Sequence, residues 1–208
     1  MQTIELKNDL ADREAAYRLL SACYYQPGAD WDEADLFSHL SGLMDAISPE
    51  ASAAAGRMSV AWGESDPAEL TVDYARLFVG PMALQSPPYG SVYLDIDHKV
   101  MGASTVEVLR FYREAGLNMD DDFTEMPDHI AVELEFVSYL LQRAAASDND
   151  KDLELWLDRG RCFVDTFLGP WYGRFCAGIR SNTDNRFYAA LADCTELLVS
   201  RGLPTFTA

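Results

Sequence analysis

Apolar residues in this chain recur at the period of a helix almost from end to end, and that spacing constrains the fold more than any other feature. Leu36, Phe37, Leu40, Leu43, Met44 and Ile47 fall at i, i+1, i+4, i+7, i+8 and i+11, the wide stripe of a helix packed on a core. Alternation with a period of two is confined to Ser91-Val92-Tyr93-Leu94, so no sheet is expected. The pattern predicts an all-α fold of about eight to ten helices, one domain over residues 1–208, with a connector at 117–127 where two lobes would hinge.

Punctuation along the chain divides the helices. The first should start at Asn8 or Asp9, turn Ala16, Leu19, Leu20, Cys23 and Tyr24 inward, and stop at Pro27-Gly28. Asp32 opens the second, and Ser48-Pro49 ends it and opens an alanine-rich third that runs to Trp62-Gly63. In Asp66-Pro67-Ala68-Glu69 an acidic cap precedes proline in the first turn, predicting a helix with Leu70, Tyr74, Leu77 and Phe78 on one face and a stop at Gly80-Pro81. Further helices are expected over 97–115, from Pro127 through Leu141, and at 149–168, 170–179 and 184–201. The helix after Pro127 is apolar nearly all round and should be central.

Against 16 Lys and Arg stand 34 Asp and Glu, a net charge of −18 that excludes general binding to nucleic-acid phosphates or an anionic membrane. With 49% hydrophobic residues the charge must decorate a packed body rather than a disordered tail. The first residues, MQTIELKNDLADRE, lack an apolar export stretch, so a cytoplasmic protein is expected. Cys23, Cys162, Cys176 and Cys194 follow no Cys-x-x-Cys spacing and read as buried free thiols. From Leu77 to Leu94 no residue is charged, yet Gly80, Pro81, Pro87, Pro88 and Gly90 exclude a membrane-spanning helix. That run is expected to be an aromatic loop stiffened by prolines.

Catalytic patterns are absent from the sequence: no phosphate-cradling Gly-x-x-x-x-Gly-Lys loop, no Gly-x-Gly-x-x-Gly, no His-Glu-x-x-His and no Gly-x-Ser-x-Gly. His39, His98 and His129 are scattered, so no metal, no cofactor and no catalytic residue is expected. Asp121-Asp122-x-x-Glu125 admits two readings, a solvated connector and a Mg²⁺ site in an all-α enzyme acting on a diphosphate.

Two blocks are more specific: Tyr74-Ala75-Arg76-Leu77-Phe78-Val79-Gly80-Pro81 with Pro87-Pro88-Tyr89-Gly90-Ser91-Val92-Tyr93-Leu94-Asp95, and Glu125-Met126-Pro127-Asp128-His129-Ile130-Ala131-Val132-Glu133-Leu134-Glu135-Phe136. Together they resemble the TorD/DmsD family of cytoplasmic chaperones for molybdoenzymes exported by the twin-arginine route. The resemblance implies an all-helical protein without chemistry of its own. It would bind the twin-arginine signal peptide and precursor of a molybdopterin oxidoreductase of the dimethyl-sulfoxide or trimethylamine-oxide reductase type, and delay export until the cofactor is inserted. It also implies translocase components as further partners, and a monomer able to form a dimer by exchanging helical halves across a hinge at Glu125, Met126 and Pro127. By motif the signal-peptide residues are Tyr24, Tyr74, Leu77, Phe78, Pro88, Tyr89, Asp128 and His129. Two departures stand out: tyrosine at 74 and 89 where the family often has tryptophan, and proline displaced by one within Glu-Met-Pro-Asp-His.

Each of these residues also has a plain structural reading. Leu77 and Phe78 fit a core, Pro88 and Tyr89 a turn, Asp128 a helix cap and His129 an interior position. A twin-arginine signal is cationic and then apolar, so it asks for carboxylates beside uncharged aromatic surface, and this composition supplies both.

Overall fold

A computed structural model describes residues 2–28, 31, 36–80, 84–118 and 124–206. Ten α-helices follow in chain order among them: α1 (Gln2–Ala22), α2 (Leu36–Asp45), α3 (Pro49–Glu64), α4 (Pro67–Tyr74), α5 (Gly90–Leu94), α6 (Ala103–Glu114), α7 (Ile130–Ala145), α8 (Asp150–Phe163), α9 (Gly169–Asn182) and α10 (Arg186–Ser200). The only β-type pairing among the described residues is one antiparallel bridge between Tyr89 and His129. The fold is all-α, as the periodicity predicts.

Short polar side chains set several helix starts by taking amides that have no partner inside the helix. Ser48 Oγ accepts from Ala51 N–H at 3.1 Å and Asp66 Oδ1 from Ala68 N–H at 2.8 Å, both where the sequence places a start. Asn149 and Asn185 cap α8 and α10 in the same way, each at 2.9 Å.

Asp32, the expected start of the second helix, lies outside the described residues, and three other expected starts are not met. α1 begins at Gln2, ahead of the expected Asn8 or Asp9, because Asp9 pairs with Arg13 at 2.9 Å and Lys7 Nζ docks on the Ser147 carbonyl at 2.7 Å. The helix expected over 97–115 starts only at Ala103, since Asp95 takes the Ser104 amide at 3.2 Å and its hydroxyl at 3.1 Å. Pro127 does not enter a helix. It is the second residue of a turn closed by His129 N–H donating to the Met126 carbonyl at 3.0 Å, and α7 follows that turn.

Gly169-Pro170, expected to separate two helices, interrupts nothing: Val164–Leu168 is a π-helical turn that leads α8 straight into α9. Proline lacks an amide and crowds the carbonyl four residues back, and a wider turn relieves both. A Cβ on Gly169 would stand 2.7 Å from the Val164 carbonyl oxygen, so the bulge requires glycine there.

α7 is central. Its Ile130, Leu134, Phe136, Val137, Leu140 and Leu141 are all buried. α1 lies antiparallel along it, with Lys7 at Ser147 and Ser21 Oγ donating to the Ala131 carbonyl at 2.8 Å. α8 packs on α7, α3 on α2 and α10, and α10 on α9, so one cluster of buried side chains runs through the bundle. All four cysteines are free; Cys23, Cys176 and Cys194 are buried as expected, whereas Cys162 on α8 is exposed.

Candidate functional site

Backbone pairing joins the two sequence blocks. Gly90 N–H donates to the Asp128 carbonyl and Ile130 N–H to the Pro88 carbonyl, both at 2.8 Å, which makes the Tyr89–His129 bridge. Asp128 Oδ2 then accepts the Ser91 amide at 2.8 Å, capping α5 from across the chain. A Cβ on Gly90 would lie 3.1 Å from Trp171 Nε1 and 3.3 Å from Glu133 Oε1, so the approach of α5 to α7 and α9 is tight enough that a side chain there would push on both.

Behind the bridge is a buried polar group that motif reading did not assign to the site. Glu133 is fully buried and its Oε2 accepts from Trp171 Nε1 at 3.1 Å. Burial raises its pKa well above the ordinary carboxylate value, while the Trp171 bond opposes this and the Asp128 charge adds to it, which favours the neutral acid. Glu133 Oε1 and Asp128 Oδ1 are buried without a partner among the described residues. The signal was present in Asp-His-Ile-x-x-Glu-Leu, where a glutamate four residues after the cap faces the same way as His129.

His129 caps its own helix. Its Nδ1 accepts from Ala131 N–H at 3.1 Å, which assigns the proton to Nε2. Burial pushes its pKa down to about 4, so the ring is neutral at physiological pH. Tyr25 stacks on it at 6.1 Å and Tyr89 meets it edge-on at 5.3 Å.

The remaining residues divide by depth. Tyr24, Leu77, Phe78 and Pro88 are buried, with Tyr24 Oη bonded to Thr195 at 2.8 Å and Phe78 packed against Tyr24, Tyr74, Phe175 and Tyr188. Tyr74 and Tyr89 are half-buried and reach the surface, and Tyr74 Oη donates to the Tyr24 carbonyl at 3.3 Å. The motif at 74–80 is itself irregular, since α4 continues as a π-helical turn, Ala75–Val79, which sends both Leu77 and Phe78 inward.

Packing explains much of the missing charge between Leu77 and Leu94. Ser86 sits on Gly178, Tyr93 stacks on Trp171 at 5.4 Å, and Arg174 holds the Tyr93 carbonyl at 2.7 Å, all against α9. Of the hinge residues, Met126 and Pro127 are half-buried in the turn before α7, and Tyr112 Oη anchors the Pro127 carbonyl at 2.8 Å. Asp121 and Asp122 lie outside the described residues; among those described, no three His, Cys, Asp or Glu side chains are grouped to hold a metal ion. No described helix is long and apolar enough to cross a membrane.

Known proteins resemble this chain in sequence and in fold. Tat proofreading chaperone DmsD of Salmonella typhimurium is 33% identical over 128 residues, 62% of this chain and 57% of that protein, so the match spans under two thirds of that relative. Chaperone protein TorD of Shewanella loihica is 26% identical over 200 residues, 90% of each chain. A solved redox enzyme maturation protein of Archaeoglobus fulgidus shares the fold at a TM-score of 0.55 and 22% identity, covering 88% of this chain and 93% of its own. The family model described as nitrate reductase delta subunit matches residues 43–177, which takes in both motif blocks together with the first part of α9, and the chain belongs to that family.

Proposed function

We propose that this protein is a cytoplasmic, system-specific chaperone that binds the twin-arginine signal peptide of a molybdopterin oxidoreductase and delays its export until the cofactor is inserted and the enzyme has folded. It acts by binding and timed release rather than by making bonds. The observation that carries the reading is the bridge between Tyr89 and His129, which gathers the two motif blocks into one surface. There half-exposed tyrosines offer the uncharged aromatic surface that the apolar run of such a peptide requires.

Within this proposal Tyr74 and Tyr89 touch the peptide. Tyr24, Leu77, Phe78, Pro88, Asp128 and His129 hold the wall on which they stand. Translocase components are further partners, and a homodimer forms when helical halves exchange at Glu125, Met126 and Pro127.

Titrating the whole protein with a fluorescent signal peptide of a co-encoded reductase tests the reading. Tyr74→Ala with Tyr89→Ala should weaken binding at least tenfold, because each ring contributes apolar contact that its truncation removes. Unchanged affinity in the double variant, or no binding by the wild type, overturns it.

A further inference from the structure

A cation-binding peptide site needs a carboxylate that the peptide can reach, and Asp128 does not offer one. Only 1% of it is exposed, and one of its oxygens is already bound to the Ser91 amide. Glu125, three residues earlier, is half-exposed. Its Oε1 takes only the adjacent Met126 amide, at 3.2 Å, and no lysine or arginine pairs with it among the described residues.

Tyrosines from two separate elements pack on the segment that carries it, and a third stands beside one of them. Tyr25 follows α1 and stacks on His129, Tyr89 meets the same ring from the loop before α5, and Tyr74, the last residue of α4, bonds to the Tyr24 carbonyl beside Tyr25. All three are half-buried. Burial first and then nearby carboxylates raise the three phenols, Tyr25 and Tyr74 to about 12: Glu135 and Glu125 act on Tyr25, Glu125 on Tyr74, and Glu125 and Asp128 on Tyr89, so Glu125 is the carboxylate common to the group. An unpaired carboxylate among neutral aromatic faces suits a planar cation that stacks and forks at once.

We propose that Glu125, framed by Tyr25, Tyr74 and Tyr89, seats a guanidinium of the peptide's arginine pair, while Asp128 positions the loop beneath it. This rests on the proposed function and adds to it a specificity residue, Glu125, and an aromatic wall member, Tyr25.

The experiment is calorimetric titration of the full chain with two synthetic peptides that differ only in carrying Arg-Arg or the neutral isostere citrulline-citrulline ahead of the same apolar run. Glu125→Gln should weaken the Arg-Arg peptide about tenfold and leave the citrulline peptide within about twofold, the loss of one charge-assisted pair. Glu114→Gln, which removes the same charge from exposed α6, should leave both peptides within about twofold. Tyr25→Leu should weaken the Arg-Arg peptide selectively and Tyr25→Phe should not, because the ring face is what binds.

Equal weakening of both peptides by Glu125→Gln, or none, overturns the assignment while leaving the chaperone reading in place. A wild type that binds neither peptide defeats the chaperone reading first, and this inference with it.

Discussion

Glu133 and His129 are ionisable groups four residues apart that burial has silenced in opposite senses, and they give the fold opposing pH dependences. The neutral acid form of Glu133 is kept in the folded state, so above its ordinary value the unfolded chain releases a proton that the folded chain retains, and stability falls as pH rises. His129 is kept neutral down to about 4, so the unfolded chain takes up a proton below about 6.5 and stability falls as pH drops from there. Glu133→Gln keeps an acceptor for Trp171 and removes the alkaline loss. Unfolding free energies from urea melts should decline for the wild type between about pH 6.5, where the unfolded His129 has titrated, and about pH 8, by up to about 1.4 kcal/mol per pH unit, and stay level for the variant over the same range. A parallel decline in both proteins would show that Glu133 is ionised in the fold. Asp128→Ala should cost about 1–3 kcal/mol, because it strips the Ser91 amide of its acceptor, whereas Asp128→Asn retains an acceptor and should cost less.

α8 and α9 show how far local signals carry an element. Both are expected from the sequence, at 149–168 and 170–179, but their unbroken connection is not, since Gly-Pro reads as a stop wherever a helix cannot widen. Here the π-helical turn at Val164–Leu168 absorbs it, with Leu168 and Phe163 buried on either side of the bulge. Two glycines of α9 then predict opposite outcomes. Gly169→Ala places a Cβ 2.7 Å from the Val164 carbonyl and should lower stability by about 1–3 kcal/mol, whereas Gly173→Ala meets nothing within 4 Å and should raise it by about 0.5–1 kcal/mol. Thermal melts of the pair check this, and equal shifts would deny the bulge. The late start of α6 has a similar cause. Asp95, the last residue of a motif block, is spent capping Ser104, and His98 and Met101 take φ of 52° and 60° in the loop between, which no apolar pattern announces.

Across the whole molecule the charge of −18 acts at long range, and its consequence is kinetic. Raising salt from 0.1 to 1 M shortens the screening length from about 10 Å to about 3 Å, so association of the Arg-Arg peptide should slow several-fold while dissociation changes little. Stopped-flow measurements separate the two rates, and a salt-independent association rate would remove charge from the account of recognition. The sequence by itself determined the helical class, several caps, the central place of α7 and the two blocks, because each depends on neighbours within a few residues along the chain. Which block residues face solvent was decided only by tertiary structure. Leu77, Phe78 and Asp128 turned inward while Tyr89 and Glu125 stay half-exposed, because the bridge at Tyr89 and His129, the packing against Trp171 and the π-helical turn after α4 join segments distant in sequence. Burial is a property of those junctions, and no spacing along one segment encodes it.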